Sequence, residues 1–280
     1  MTDQQLKEFG VEIRQKTMDC VHSIGSGHVG GALSMADLLA VLYGEEMKID
    51  PKHPDWEERD LFVCSKGHAG PAVYAALALK GYFPMEMLYT LNQNGTLLPS
   101  HCDRTKTPGV DATAGSLGQG LSIAAGAALG FKFSGTERRV YVVTGDGEQQ
   151  EGQIWEAAQF AAQYKLDNLI HFVDANKMQI DGKVEQVNAS LDLVEKYASF
   201  GWYAQRADGH DIHQLREAID RAKAHTGSPN VIVIDTIKGS GIPFIEAMEY
   251  NHHIPVNDEA YAKATEALNA MMERVKKGEQ

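Results

Sequence analysis

The sequence predicts a doubly wound α/β fold, in which a mostly parallel β-sheet lies between helices. Several short apolar runs each end in glycine or a small polar residue and lead into a segment with helical periodicity. The runs are apolar throughout rather than alternating, which is typical of strands that are buried on both faces of a parallel sheet. No repeat, low-complexity stretch or linker interrupts this pattern, so residues 1–280 are interpreted as one domain.

The first predicted element is an amphipathic helix over residues 4–24, because apolar residues recur there at helical spacing. A glycine-rich break over residues 25–31 follows. Ser34 is interpreted as the N-cap of a second helix that reaches Leu42. The later predicted elements are strands over residues 61–65, 139–147, 168–176 and 230–239, and helices over about 153–164 and 258–277.

The composition limits the classes of ligand and partner. The chain has 280 residues, of which 43% are hydrophobic, enough to form one substantial core. It carries 26 basic and 38 acidic residues, a formal net charge of −12. Nucleic acids and anionic membranes attract clustered Lys and Arg, so this balance argues against either as a partner. A phosphate-bearing ligand must then be held locally, by a metal ion, a helix N-terminus or a few placed cations.

The sequence predicts a cytoplasmic protein. The N-terminus lacks the basic and then apolar pattern of a signal peptide. No apolar run approaches the roughly 20 residues needed to span a bilayer. The three cysteines, Cys20, Cys64 and Cys102, lie far apart and form neither a disulfide framework nor a metal-binding pair.

The segment GDGEQQEG, residues 145–152, carries the strongest chemical signal. Asp146 directly follows a predicted buried strand, where a carboxylate is costly unless it caps a helix or coordinates a cation. Asn176 follows the next predicted strand, so both side chains are expected in the crevice beyond the carboxyl ends of the strands. Their oxygens suit Mg²⁺, Ca²⁺ or Mn²⁺ completed by diphosphate oxygens. The alternative is a tight turn in which Asp146 only caps the following helix.

This pairing of GDG with a later Asn is similar to the signature of thiamine-diphosphate enzymes. Four further motifs resemble the N-terminal portion of transketolases: SGHVG at residues 26–30, SKGHA at 65–69, GSLGQG at 115–120 and DANKMQIDG at 174–182. The motifs occur in the family's order, and the match runs from about residue 10 to residue 255. The resemblance implies the diphosphate-binding type of thiamine-diphosphate fold. It also implies transfer of a two-carbon ketol unit from an anionic ketose, phosphorylated or similar, to an aldose.

The resemblance also implies roles for individual residues. The side chains of Asp146 and Asn176 and the carbonyl oxygen of Met178 correspond to metal ligands. Gly147 corresponds to a backbone contact with the diphosphate, and Ile180 to a residue that packs against the cofactor. The full set of implied cofactor-binding residues is His68, Gly115, Ser116, Leu117, Gly145, Asp146, Gly147, Glu148, Asn176, Ile180, Lys238 and His252.

Two parts of this set have simpler interpretations. The Gly115 carbonyl and the Leu117 N–H are implied to contact the aminopyrimidine ring. Residues 115–130 also fit a small-residue helix packed closely against the sheet, which is compatible with that contact. Lys238 and the following KGSGIP loop fit a flexible active-site flap, or equally a surface loop rich in Gly and Pro.

Four histidines, His28, His68, His101 and His252, are implied to line the channel over the thiazolium ring and to act in catalysis. His68 and His252 correspond to the positions nearest the diphosphate, and His28 and His101 to those at the donor sugar's hydroxyls. Imidazole suits proton transfer near neutral pH. His253 stands where the family usually has glycine, which leaves the choice between His252 and His253 open. The histidines interpreted as structural are His22, His53, His171, His210 and His213.

A second polypeptide is expected to complete the active site. Full-length transketolases continue for several hundred residues, and that portion supplies the glutamate that activates the cofactor and most sugar-phosphate contacts. The resemblance therefore implies a separate C-terminal subunit, with two copies of each chain because twofold assemblies are the commonest. Glu151 and Glu156 match acidic positions at the family's subunit interface, where a proton network links paired active sites.

Three alternatives remain at this point. The chain resembles, less closely, subunits of 1-deoxyxylulose-5-phosphate synthase-like enzymes and of 2-oxo acid dehydrogenases, which share the GDG and Asn pair. The histidine motifs favour ketol transfer over both. A thiamine-diphosphate-binding module without activity is a third alternative. An NAD-binding Rossmann protein is a weaker interpretation, because no GxGxxG follows the first strand.

Overall fold

The computed structural model describes residues 1–278, and its centre is a five-stranded parallel sheet. The strand order is β2-β3-β4-β8-β7, so the predicted doubly wound α/β fold is confirmed. The strands are β1 (Ser26–Gly27), β2 (Leu61–Cys64), β3 (Val140–Gly145), β4 (Leu169–Ala175), β5 (Met178–Gln179), β6 (Gly182–Lys183), β7 (Tyr203–Asp208), β8 (Asn230–Asp235) and β9 (Ile254–Pro255).

Helices cover both faces of the sheet. They are α1 (Asp3–His22), α2 (Gly30–Leu33), α3 (Ala36–Val41), α4 (Gly70–Lys80), α5 (Gln119–Phe133), α6 (Gly152–Gln163), α7 (Val184–Asn188), α8 (Leu193–Ser199), α9 (Ile212–Ala224), α10 (Pro243–Glu246) and α11 (Asp258–Lys276). A π-helical turn at Leu42–Glu46 extends α3, and short 3₁₀ turns occupy Gly67–Ala69, Met85–Thr90 and Gly147–Gln150.

The core has two layers, one on each face of the sheet. Alternate residues of β3 pack into different layers: Tyr141 and Val143 face one layer, and Val140 and Val142 face the other. The first layer contains α1, α3, α4, α9 and α11, and the second contains α5, α6 and α8. Both faces of β3 are therefore buried, which explains why its sequence is apolar throughout.

The central strands were predicted from the sequence, but the edge strand β7 was not. In β7 buried and exposed residues alternate, as expected at an edge with one solvated face, so it lacks the continuous apolar signal. The observed strands β3, β4 and β8 end at Gly145, Ala175 and Asp235, before the last residues of the predicted strands. Those residues form the loops at the carboxyl edge of the sheet.

The interpretation of Ser34 as a helix N-cap is wrong. The structure has α2 before it and α3 after it, and the N-cap of α3 is Met35, without a side-chain cap. The Ser34 hydroxyl instead donates a hydrogen bond to Oδ2 of Asp174 at 2.7 Å. The hydroxyl that was expected to cap a helix therefore binds a buried carboxylate instead.

Two further observations concern location and redox state. Within residues 1–278, no helix combines the length and apolar character that a membrane crossing requires. The three cysteines are free and buried.

Candidate active site

A cavity of about 340 Å³ opens at the carboxyl ends of β2, β3, β4 and β8. Its lining contains every site residue named from the sequence except Ser116 and Glu156. The further lining residues, which the sequence did not single out, are Gly31, Lys66, Gln150, Gln179 and Asp181. The topology thus brings residues from most of the length of the chain to one place, as expected at the strand ends of such a sheet.

Asp146, Asn176 and Met178 lie together on one side of the cavity. Asp146 is only 5% exposed, and its Oδ1 and Oδ2 accept hydrogen bonds from the main-chain N–H groups of Gly147 (2.8 Å) and Lys177 (2.5 Å). Oδ1 of Asn176 accepts from the N–H of Met178 at 3.1 Å. Burial, together with the negative charge of Asp174, raises the pKa of Asp146 to about 6.

These residues fit a hard divalent cation. The raised pKa shows that the two N–H donors and the charge of Lys238 only partly compensate the burial of Asp146, and a bound cation would add further positive charge. Among residues 1–278, no group of three His, Cys, Asp or Glu side chains is arranged to hold a metal ion unaided. One carboxylate, one amide oxygen and one main-chain carbonyl instead suit Mg²⁺ that shares its remaining positions with phosphate oxygens and water.

Lys238 reaches the same side of the cavity from the loop after β8. Its Nζ donates to the Met178 carbonyl at 3.0 Å and lies 3.2 Å from Nδ1 of His252. Burial and the nearby positive charge of Lys66 lower the pKa of Lys238 to about 8. The ammonium therefore stays charged at neutral pH, next to a carbonyl that faces the cavity.

The four predicted histidines form one cluster with His28 at its centre. The ring centroid of His28 lies 5.3 Å from that of His68, 5.8 Å from that of His101 and 5.3 Å from that of His252. Burial, reinforced by neighbouring positive groups, lowers the pKa of His28 to about 4, of His68 to about 2 and of His252 to about 3. Burial also lowers the pKa of His101. At neutral pH each ring is neutral and offers one donor and one acceptor nitrogen.

His252 and His253 lie on different sides of His28. His252 lines the main cavity, with its ring 4.7 Å from that of His68. The ring of His253 is 4.8 Å from that of His28, but it lines a separate small pocket together with Ser100 and other residues. Of these two neighbours, His252 therefore lines the main cavity and His253 does not.

Glu148 braces the loop that precedes α5. The side chain is 3% exposed, and its Oε1 accepts from the Ser65 hydroxyl and from the Gly118 N–H at 2.8 Å. Its Oε2 accepts from the Gly145 N–H at 3.0 Å. Gly118 adopts a left-handed φ of +87°, a conformation that glycine permits at little cost. The carboxylate therefore fixes the position of residues 115–118 relative to the end of β3.

The remaining predicted residues are exposed, and two of them lie outside the cavity lining. Leu117 and Ile180 are 36% and 63% exposed. Glu151 is exposed at the cavity edge, while Glu156 is exposed on α6, outside the lining. Ser116 is exposed and also lies outside the lining.

Lys66 and Asp174 form a buried ion pair that sequence reasoning missed. They are 2% and 0% exposed, and Nζ of Lys66 also donates to the Gly31 carbonyl at 2.7 Å. Asp174 further accepts from Ser34, from Thr236 and from Nδ2 of Asn176 at 3.0 Å. Burial alone would raise the pKa of Asp174, but the charge of Lys66 and these donors hold it below its usual value. Both residues lie inside motifs quoted above, yet a lysine between Ser and Gly gives no signal of burial.

Comparison with known proteins identifies close relatives. The family described as "Transketolase, thiamine diphosphate binding domain" matches residues 7–274. The chain is 48% identical to 6-deoxy-6-sulfo-D-fructose transketolase subunit SqwG of Clostridium sp. (strain MSTE9), covering 96% of this chain and 98% of the relative. It is 40% identical to one of the subunits of apulose-4-phosphate transketolase from Actinobacillus succinogenes, covering 91% of this chain and 93% of the relative.

A solved structure extends the comparison. Transketolase from Campylobacter jejuni superimposes with a TM-score of 0.89 at 30% identity and covers 98% of this chain. This chain spans only 46% of that protein. The likeness therefore extends over the full fold described above and over less than half of the longer enzyme.

The buried ion pair generates a prediction about stability. Lys66→Met should lower the free energy of unfolding by about 3–5 kcal/mol, because it leaves Asp174 buried without a counter-charge. Adding Asp174→Asn should recover much of that loss, since the neutral amide leaves no unpaired charge. Urea denaturation of the two single variants and the double variant measures the coupling.

The control for this prediction is Lys132→Met. Lys132 pairs with Asp167 at 2.8 Å on the surface, where both side chains are partly exposed. Removing such a pair typically changes stability by less than about 1 kcal/mol. Equal losses in the Lys66 and Lys132 variants would contradict the structural importance of the buried pair.

Proposed function

The chain belongs to the transketolase family, and we propose that it is the subunit of a two-chain transketolase that holds thiamine diphosphate. The observation that carries the proposal is the single cavity in which an oxygen donor set, a buried lysine and a cluster of neutral histidines meet. The family's description names the cofactor, and two relatives of similar length are named as transketolase subunits.

In this proposal the diphosphate end of the cofactor is held by a metal. Asp146, Asn176 and the Met178 carbonyl bind Mg²⁺, Ca²⁺ or Mn²⁺, which also binds the diphosphate oxygens. Gly147 permits close approach of its backbone, and the Lys238 ammonium adds a positive charge near the phosphates. The net charge of −12 gives the chain no general attraction for phosphate, so the proposal relies on these local contacts to hold the diphosphate.

The histidines orient substrate and move protons. When bound, thiamine diphosphate supplies the electron sink for breaking and forming the carbon–carbon bond. Because the Lys238 ammonium donates to Nδ1 of His252, the ring proton of His252 lies on Nε2. His252 and His68 are assigned to the diphosphate side, and His28 and His101 to the hydroxyls of the donor sugar. At pH 7 each neutral ring offers one donor and one acceptor nitrogen to the substrate's hydroxyls.

The proposed substrates are a ketose with an anionic end group and an aldose acceptor. The names of two relatives specify a sulfonated fructose and apulose 4-phosphate. A 6-deoxy-6-sulfo ketose is the first donor to test, because the relative with that name is 48% identical over nearly its full length. Phosphorylated ketoses are the second.

A separate C-terminal chain is the proposed partner, with two copies of each subunit. It would supply the activating glutamate and most contacts to the sugar's anionic group. Exposure of Glu151 and Glu156 on this chain fits their assignment to a subunit interface. A single domain over residues 1–280 and a cytoplasmic location stay predictions. Relatives named as transketolase subunits favour ketol transfer over the synthase-like, dehydrogenase and non-catalytic alternatives.

The metal assignment predicts the behaviour of Asp146→Asn. This variant should weaken binding of thiamine diphosphate with Mg²⁺ by at least about 100-fold, the upper end of what loss of an outer-shell partner costs at metal sites. Titration calorimetry in the presence of the partner measures the affinity. Asp192→Asn is the matched control, because Asp192 caps α8 on the surface and asparagine caps a helix equally well. Unchanged affinity in Asp146→Asn would refute the metal ligand.

The histidine assignment predicts different defects at different positions. His28→Ala and His101→Ala should lower turnover by roughly 10²- to 10⁴-fold, the usual cost of losing one proton-transfer group. Their cofactor affinity should change little, whereas His68→Ala should weaken cofactor retention more. Steady-state kinetics and cofactor titrations separate the two effects. The control is His53→Ala, in an exposed turn beside Asp50. Near-normal rates in all three cluster variants would exclude the channel assignment.

Reconstitution is the direct test of the function. The purified chain with thiamine diphosphate and Mg²⁺ should show no ketol transfer, and activity should appear when the C-terminal chain is added. The assay follows donor consumption with sulfonated and phosphorylated ketoses against a panel of aldoses. Robust turnover by the demonstrably partner-free chain would overturn the two-chain proposal. Carbon dioxide release from pyruvate would instead favour the synthase or dehydrogenase alternative.

A further inference from the structure

Arg14, Asp37 and His210 form a buried cluster outside the cavity. Arg14 is fully buried in α1 and Asp37 is 6% exposed in α3. The two nitrogens Nη1 and Nη2 of Arg14 donate to Oδ1 and Oδ2 of Asp37 at 2.8 and 2.6 Å, the paired geometry that arginine forms with carboxylates. Nδ1 of His210, from the turn after β7, lies 2.8 Å from Oδ2 of Asp37. The sequence suggested only a structural role for this histidine.

Arg14 and His210 also hold the loop that carries Lys238. The N–H of Ile237 donates to Nε2 of His210 at 2.9 Å. Nε of Arg14 donates to the carbonyl of Ser240 at 3.0 Å. The two contacts lie on either side of Lys238 in the chain, one residue before it and two residues after it. The cluster therefore binds the loop at two points, on either side of Lys238, whose side chain enters the cavity.

The hydrogen bond from Ile237 fixes the protonation pattern of His210. A nitrogen that accepts a hydrogen bond carries no proton, so the ring proton of neutral His210 lies on Nδ1. From there it is donated to Asp37, whose orientation is set by Arg14. Asp37 therefore stabilises the tautomer of His210 whose Nε2 accepts the hydrogen bond from the loop. Carboxylate partners commonly set the tautomer of histidines in this way.

The Ile237 carbonyl accepts a further hydrogen bond from the Ser240 N–H at 3.1 Å. The next two residues have their own anchors: Nδ2 of Asn251 donates to the Lys238 carbonyl at 2.9 Å, and the Gly239 N–H donates to the Gly30 carbonyl at 3.0 Å. The Ile237 side chain is 52% exposed, so it provides little packing. Gly239 and Gly241 have φ values of +88° and +95°, which glycine adopts readily. The Lys238 side chain, 5% exposed, contacts the Met178 carbonyl and His252. A shift at Ile237 would therefore move the Lys238 ammonium relative to both.

We propose that Arg14, Asp37 and His210 act as a clamp of positioning residues, which fixes the Lys238 loop against the cavity and thereby raises the affinity for the cofactor. None of the three touches the cavity, so they act through Lys238. The link to the cofactor rests on the proposed function. The clamping of the loop rests on the contacts alone.

The test compares His210→Ala with His210→Gln in the full chain. Hydrogen exchange measured by mass spectrometry on peptides spanning residues 236–242 reports the loop. Titration calorimetry with thiamine diphosphate and Mg²⁺ reports the affinity. His210→Ala should accelerate exchange, and weaken binding by about two- to tenfold, the range for one net hydrogen bond. Glutamine offers one donor and one acceptor at its amide, so His210→Gln should restore both readings in large part.

The matched control is His213→Ala, three residues further along, where the ring lies on the exposed face of α9. It should change neither reading. Unchanged exchange in His210→Ala would overturn the clamp. Faster exchange with unchanged affinity would overturn its effect on the cofactor, provided that Asp146→Asn weakens binding. If Asp146→Asn leaves the affinity unchanged, the proposed cofactor site is what fails, and the exchange comparison alone then decides the clamp.

Discussion

The cavity depends on one buried carboxylate, that of Asp174 at the end of β4. An ionised carboxylate without exposure to water is costly unless charge and hydrogen bonds compensate it. Its partners come from separate parts of the chain: Ser34 follows α2, Lys66 follows β2 and Thr236 follows β8. Asn176 also donates to it, two residues along. Satisfying one charge thus holds together the loops that form the cavity floor.

The same ion pair shapes the electrostatics of the groups above it. The negative charge of Asp174 helps to raise the pKa of Asp146, and the positive charge of Lys66 helps to lower those of Lys238 and His68, although burial is the larger cause in each case. The cavity therefore has a carboxylate that favours an added cation and histidines that stay neutral. Both properties follow from burial and from one fixed pair of charges, and both suit a metal-bound diphosphate beside groups that transfer protons.

Sequence patterns predicted the layers of the fold better than the connections within the site. Continuous apolar runs reveal β3, β4 and β8, because burial on both faces leaves few polar positions, whereas one-sided burial hides β7. The motifs indicated most of the residues that line the cavity. They did not reveal that Ser34 and Lys66 are buried against Asp174, because that acceptor lies more than a hundred residues away from each of them in the chain. Adjacent His252 and His253 likewise differ only in the direction that the backbone gives each ring.

The residues that line the cavity are not equally buried. Asp146, Asn176 and Lys238 are buried within this chain, whereas Leu117 and Ile180, which line the same cavity, are exposed to water. A molecule that covers the cavity would remove these apolar side chains from water, which is favourable. Carbon–carbon bond chemistry on a charged cofactor also requires exclusion of water, which strengthens every electrostatic contact inside the site. The proposed partner would both cover the exposed apolar side chains and exclude water. In this proposal, this chain anchors the cofactor, while closure of the site, and therefore turnover, requires the assembly.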